Sequence, residues 1–147
     1  MKINHTLLAV AALTFGATAP LVAQRSHVGF HGAYDFDVEE ALIGAQIHLP
    51  IANRLELYPS FDYYFVDPGS LIGFNVDLKV NLRANPIYLG GGLSFLDADS
   101  GGSDTGANAF FGFEGRKGSA HPHVELRLKL HDQSQLQLGA GINFTLF

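Results

Sequence analysis

The chain has 147 residues, no cysteine, and 14 acidic against 9 basic side chains, a net charge of −5 with histidine neutral. Without cysteine there is no disulfide, no thiolate metal site and no cysteine nucleophile, and the acidic balance excludes the basic stripe that a nucleic-acid binder needs. Yet 47% of the residues are hydrophobic and only 16% are charged, too apolar for a disordered chain; one domain is the expectation at this length.

The first element is a leader. Met1 to His5 is a short polar start with one cation, Lys2, and Leu7 to Phe15 is an apolar core. Small residues follow, ending in Pro20-Leu-Val-Ala23-Gln24. This is the three-part plan of a secretory signal peptide, and it predicts removal of 1–23, leaving 24–147 as one domain. Gly16 and Pro20 interrupt the apolar stretch, which is marginal for a spanning helix of about 20 residues. Further on, the longest uncharged run, Gln133 to Phe147, contains Gln135, Gln137 and Asn143 and is too polar for a helix in lipid.

The rest of the chain repeats with a period of two. In His123-Val-Glu-Leu-Arg-Leu-Lys-Leu-His131 the apolar residues Val124, Leu126, Leu128 and Leu130 hold one parity and the polar residues the other. A helix would scatter them; a strand puts them on one face. The same alternation predicts strands over 27–36, 40–49, 54–65, 71–82, 86–96, 106–116, 121–131 and 135–146. Turn residues separate them: Pro50-Ile-Ala-Asn53, Asp67-Pro-Gly-Ser70, Arg83-Ala-Asn85, Lys117-Gly-Ser119 and Asp132-Gln133. Strands joined this tightly are antiparallel. Pro59 removes a ladder donor from the third strand and predicts a bulge or kink there.

Sorted by parity, one face is apolar from end to end and carries no charge. The other carries Asp35, Glu56, Asp62, Asp77, Lys79, Glu114, Arg116, Glu125, Arg127 and Lys129. A soluble, lipocalin-like barrel for a small apolar ligand would turn the apolar face inward. Eight strands enclose room for little more than their own side chains, and so many Phe, Leu and Ile residues would overfill it. The opposite arrangement predicts an eight-stranded antiparallel up-and-down transmembrane β-barrel, with short turns and a packed polar lumen too narrow for an open pore. Buried charge must then pair, with the ten residues above as the network. Tight turns would set Lys79 opposite Gly90, Asp77 opposite Gly92, Arg127 opposite Gly139 and Glu125 opposite Gly141.

Gly141-Ile-Asn-Phe144-Thr-Leu146-Phe147 resembles the terminal signal read by the barrel-assembly machinery. Gly139 departs from it by standing where a polar residue is usual, and Phe147 by following the hydrophobic position. With the leader and the eight strands, the whole chain after residue 23 resembles a small eight-stranded outer-membrane β-barrel protein of the porin-like or OmpA-type membrane-domain class. The resemblance implies a bacterial outer-membrane location with both termini periplasmic. Loops near 37–39, 66–70, 97–105 and 132–134 would face outward, above an aromatic rim of Tyr34, Phe36, Tyr63, Phe65, Phe74 and Phe95. It implies outer-membrane lipids and lipopolysaccharide as surroundings, the barrel-assembly machinery as a partner during insertion, and a monomer. The role expected is structural or one of surface interaction; the alternative within the fold is a lipid A-modifying enzyme.

Catalytic and metal signals are thin. His131, Asp132 and Ser134 have the residue types of a hydrolytic triad but crowd one hairpin, where base and nucleophile do not align easily. His121-Pro-His123-Val-Glu125 has no following serine, which departs from a deacylase pattern. His121 and His123 could ligate a metal, though a carboxylate-paired lumen histidine is the commoner arrangement. Asp97-Ala-Asp99-Ser-Gly-Gly102-Ser-Asp104 begins like a calcium loop, but its twelfth position is Asn108 instead of glutamate. The expectation is no catalysis, no metal and no cofactor.

Overall fold

A computed structural model of the chain describes residues 25–82, 86–99 and 101–146. The predicted leader and Phe147 lie outside them. Eight strands follow one another: β1 (His27–Asp35), β2 (Glu40–Ala52), β3 (Leu55–Tyr64), β4 (Leu71–Asn81), β5 (Ile87–Ala98), β6 (Ser103–Glu114), β7 (Ala120–Leu130) and β8 (Gln135–Thr145). Each pairs antiparallel with its sequence neighbours, and β8 closes onto β1 from His27 opposite Thr145 to Asp35 opposite Gln137. The alternation thus marked every strand. β5 and β6 run closer together than expected, because pairing continues to Asp97 opposite Ser103 and Gly101, at φ +89°, supplies the left-handed residue of a tight connection.

The two sides of the wall have opposite polarity. Phe30, Leu93 and Ile43 point outward, each more than half exposed, while Asp35, Asp77, Lys79, Lys129, Asn75 and Asn143 point inward with 1% exposure or less. This is the inverse of a soluble barrel, and it removes the lipocalin-like alternative. The outward aromatics gather near the two ends. Tyr34 contacts Phe36, Tyr63 contacts Phe65 and Phe74 lies beside Phe95, with ring centroids 5.3, 5.6 and 6.5 Å apart, towards the end that carries the β1–β2, β3–β4 and β5–β6 loops. Phe111 and Phe113, 5.2 Å apart, and Phe144 of the assembly signature also point outward, nearer the other end.

Two register expectations need correction. Lys79 does stand opposite Gly90 and Asp77 opposite Gly92. In the β7–β8 ladder, however, Arg127 stands opposite Gln137 and Glu125 opposite Gly139, two residues from the expected pairing. Pairing ends at Lys129 opposite Gln135, so the β7–β8 turn spans more residues than expected; His131 lies outside the ladder, its Nδ1 3.2 Å from Asp104 Oδ2 of β6. At Pro59 the β2–β3 ladder lapses: pairing passes from Gln46–Ser60 to Leu49–Leu57 with Pro59 and Tyr58 unpaired to β2, though the register is unchanged and no extra residue is inserted there. Pro59 stands opposite Val76 in β4, and β2 and β3 keep one register from Leu42–Tyr64 to Pro50–Glu56. The shift comes between Pro50 and Ala52, where Ile51 is the extra residue beside the two-residue turn Asn53-Arg54.

Several glycines sit where the wall is most crowded. A Cβ on Gly92 would collide with the carbonyl oxygen of Val76, whereas one on Gly32 would find its nearest neighbour, the Leu42 carbonyl, 3.7 Å away. Gly92→Ala is therefore expected to lower the stability of the folded barrel by about 1–3 kcal/mol, the usual range for overpacking. Gly32→Ala should stay within about 0.5 kcal/mol of the parent. Urea unfolding in detergent micelles measures both, and equal midpoints would show that the close approach at Gly92 is not a constraint.

Candidate functional site: the charged lumen

Alternation brings six carboxylates (Asp35, Glu56, Asp62, Asp77, Glu114 and Glu125) and three fixed cations (Lys79, Arg127 and Lys129) into the barrel, all buried. They divide into three levels. Nearest the chain termini, Lys79 Nζ donates to Glu114 Oε2 at 2.5 Å and lies 3.7 Å from Glu56. Its ammonium also sits 4.2 Å from the centroid of the Tyr88 ring, on the electron-rich face that attracts cations. Glu56 accepts from Asn81 at 2.7 Å and meets His48 Nδ1 at 3.0 Å; Glu114 accepts from Asn143 at 2.7 Å.

The middle level turns on Arg127. Its Nη1 donates to Asp77 Oδ2 at 2.7 Å, and its Nε and Nη2 both reach Glu125 Oε1 at 2.9 Å. The guanidinium covers the Phe110 ring with 4.5 Å to the centroid. Tyr88 donates its hydroxyl to the other Glu125 oxygen at 3.0 Å. A planar fork of fixed donors suits this double engagement, which a lysine could not reproduce.

At the third level Lys129 donates to Asp62 at 3.2 Å and to the Tyr64 hydroxyl at 2.7 Å. Asp62 also meets His31 Nε2 at 2.9 Å and accepts from Asn75 at 3.0 Å. Among the described residues no lysine or arginine pairs with Asp35. It accepts from Gln137 at 2.9 Å and from the backbone amides of Asp37 and Val38 at 3.1 and 3.3 Å, which ties the lumen to the β1–β2 loop. His31 and His48 each add a hydrogen-bond partner to a lumen carboxylate, Asp62 and Glu56.

Nine of the ten expected network residues lie in this lumen. Arg116 does not. It follows the end of β6, is exposed, and donates to the Leu82 carbonyl and Asn81 Oδ1 at 3.4 and 3.3 Å. The parity rule fails for it because pairing with β7 stops at Glu114 opposite His123. The aromatic fill was missed in turn. Tyr58, Tyr88 and Phe110 form one buried cluster, and Tyr64 packs with Leu42 and Leu96 in another. They share the charged parity, and two stand opposite glycine: Phe110 faces Gly90 and Tyr88 faces Gly112. That pairing of ring and glycine was the available signal.

The thin catalytic and metal motifs come apart. Asp132 and Ser134 are exposed on their loop while His131 turns to Asp104. His121 Nε2 bonds the Gly118 carbonyl at 2.9 Å, and His123 Nε2 approaches Gln46 at 3.3 Å. Asp99 accepts from Ser70, away from Asp104. Among the described residues no three His, Asp or Glu side chains stand in a metal-ligating group. Of the assembly signature, Gly141 faces His123 within the lumen, and Phe144 and Leu146 point outward. A cavity of about 30 Å³ remains among His31, Gln46, Ser60, Asp62, His123 and Arg127, room for a water or two and not for a solute path.

No protein-family model matches the sequence, and no curated protein matches it. Among solved structures the chain is similar to the N-terminal β-barrel domain of Pseudomonas aeruginosa OprF, with 20% identity, 84% of this chain and 98% of that one covered, and a TM-score of 0.70. It is similar to Neisserial surface protein A, with 14% identity, 82% and 97% covered, and a TM-score of 0.65. A designed transmembrane β-barrel gives 15% identity, 83% and 95% covered, and a TM-score of 0.61. The likeness is one of fold: a closed eight-stranded antiparallel barrel of the transmembrane kind.

Removing Arg127 alone leaves Asp77 and Glu125 buried without their cation. R127M is expected to cost about 3–5 kcal/mol of stability, and R127M/D77N/E125Q to recover a large part of it. Chemical unfolding in micelles tests this; a triple variant no more stable than the single one would show that the pairing is not what Arg127 contributes.

Proposed function

We propose that the chain is an integral protein of a bacterial outer membrane that crosses it as a closed barrel, with a structural or surface-interaction role and neither diffusion nor catalysis. One observation carries the reading: the wall is apolar outside and the lumen is filled by a paired charged network. Such a surface suits hydrocarbon, and closure leaves no unpaired edge at bilayer depth. Strands of nine to thirteen residues match the length a tilted strand needs to cross. The leader motif at 1–23 and the C-terminal Gly141–Phe147 signature support export and assembly at that membrane.

The lumen argues against conduction. Three levels of ion pairs and the Tyr58, Tyr88 and Phe110 rings block the axis. A lipid-modifying activity is the weaker reading, because His131 turns to Asp104 while Asp132 and Ser134 stay exposed on their loop, so the one triad of residue types in the sequence is not assembled.

Extraction should require detergent, and the unheated protein should migrate differently from the boiled one on a denaturing gel. In planar bilayers it should give no large, stable channel. A monodisperse species in detergent-free buffer would overturn the membrane reading; stable channels would overturn the packed lumen. Lipid A mass profiles with and without the gene should coincide, and a changed acylation pattern would favour the enzyme.

A further inference from the structure

The two ends of the barrel carry opposite charge. Arg25 precedes β1, Arg54 lies in the β2–β3 turn, and Arg116 and Lys117 lie in the β6–β7 loop. Backbone bonds from Leu146 to Ser26, Thr145 to Ser119 and Asn81 to Arg54 join these segments into one rim. Arg25, Arg116 and Lys117 are exposed and Arg54 is half-exposed. Among the described residues no exposed carboxylate stands at this end; the nearest, Glu56 and Glu114, are buried and held by Lys79. The opposite end exposes Asp37, Glu39, Asp67, Asp97, Asp99 and Asp132 and, among the described residues, no lysine or arginine.

The basic rim borders the outward aromatics Phe111, Phe113 and Phe144. Aromatic side chains at the end of an apolar band mark headgroup level, so the cations beyond them stand where phosphates would. Arg116 uses two of its donors on neutral oxygens and keeps others free.

We propose that this rim binds anionic phospholipid headgroups of the adjoining leaflet in preference to zwitterionic ones. The proposal rests on the membrane reading above. Charge complementarity selects the headgroup, and continuity with the apolar band selects a lipid over an acidic protein. The acidic end repels the same headgroups, so the preference belongs to one leaflet.

The test reconstitutes folded protein into vesicles of phosphatidylcholine with phosphatidylglycerol and compares the motionally restricted fraction of each lipid, spin-labelled in turn. Phosphatidylglycerol should be preferred roughly fivefold at low ionic strength, about the effect of one basic residue near an anionic surface. The preference should fall towards parity in high salt, where surface charge is screened, and in R54Q/R116Q/K117Q. The salt series on the parent protein serves even where the triple variant does not fold. Equal restriction of both lipids, a preference that the variant leaves unchanged, or binding of soluble polyglutamate with no lipid preference would overturn the proposal. Failure to float with vesicles of either composition would instead overturn the membrane reading, which separates the two.

Discussion

Pairing of β8 with β1 is the contact on which the rest of the structure depends. In hydrocarbon an unpaired backbone amide or carbonyl costs several kcal/mol, and an open sheet exposes a row of them along each edge. The ladder from His27–Thr145 to Asp35–Gln137 removes both edges at once. Closure also divides the wall into two solvents. Each residue of a strand then faces either the outside or a lumen about as wide as its own side chains, and the alternation of the sequence becomes a sorting of apolar from charged.

The narrow lumen in turn dictates its chemistry. Charges placed there lose most of their hydration, so each needs partners close at hand. Lys79, Arg127 and Lys129 each touch a carboxylate and each lies over or against an aromatic ring. The rings do two things together: they fill volume that charged side chains alone would leave as water, and they offer the cations an electron-rich face. The glycines opposite them are the counterpart. Gly90 and Gly112 leave the room that Phe110 and Tyr88 occupy, so the wall is thin where the fill is thick.

Which side each residue faces was readable from alternation because that property has a period of two and is enforced by solvent on both faces. The fill was not, since Tyr58, Tyr88 and Phe110 are apolar enough to suggest lipid while their parity assigns them to the lumen; parity is the stronger signal, because a side chain cannot choose its face independently of its neighbours. Arg116 shows the limit of the same rule. Parity has meaning only where the ladder continues, and β6 stops pairing at Glu114. Register was the other gap. It depends on the conformation of each turn, and the β7–β8 turn leaves five residues between Lys129 and Gln135 where alternation alone allows three as readily.

A one-residue slip would turn every apolar side chain inward and is forbidden by polarity; a two-residue slip preserves inside and outside and is invisible to it. The lumen charges remove that degeneracy. Were β7 to slide by two residues so that Glu125 took the level of Arg127, a carboxylate would face Asp77; Arg127 would move to the level of Asp62, and Lys129, on the same strand, would pass beyond its present partner. Like charges would then meet at the level of Asp77, in a space with little water to screen them, and Lys129 would lose Asp62. An apolar fill of the same volume could match the present one in stability but would accept either register with similar packing. The ion pairs therefore act on the choice among registers more than on total stability, and this accounts for a charged interior in so narrow a barrel.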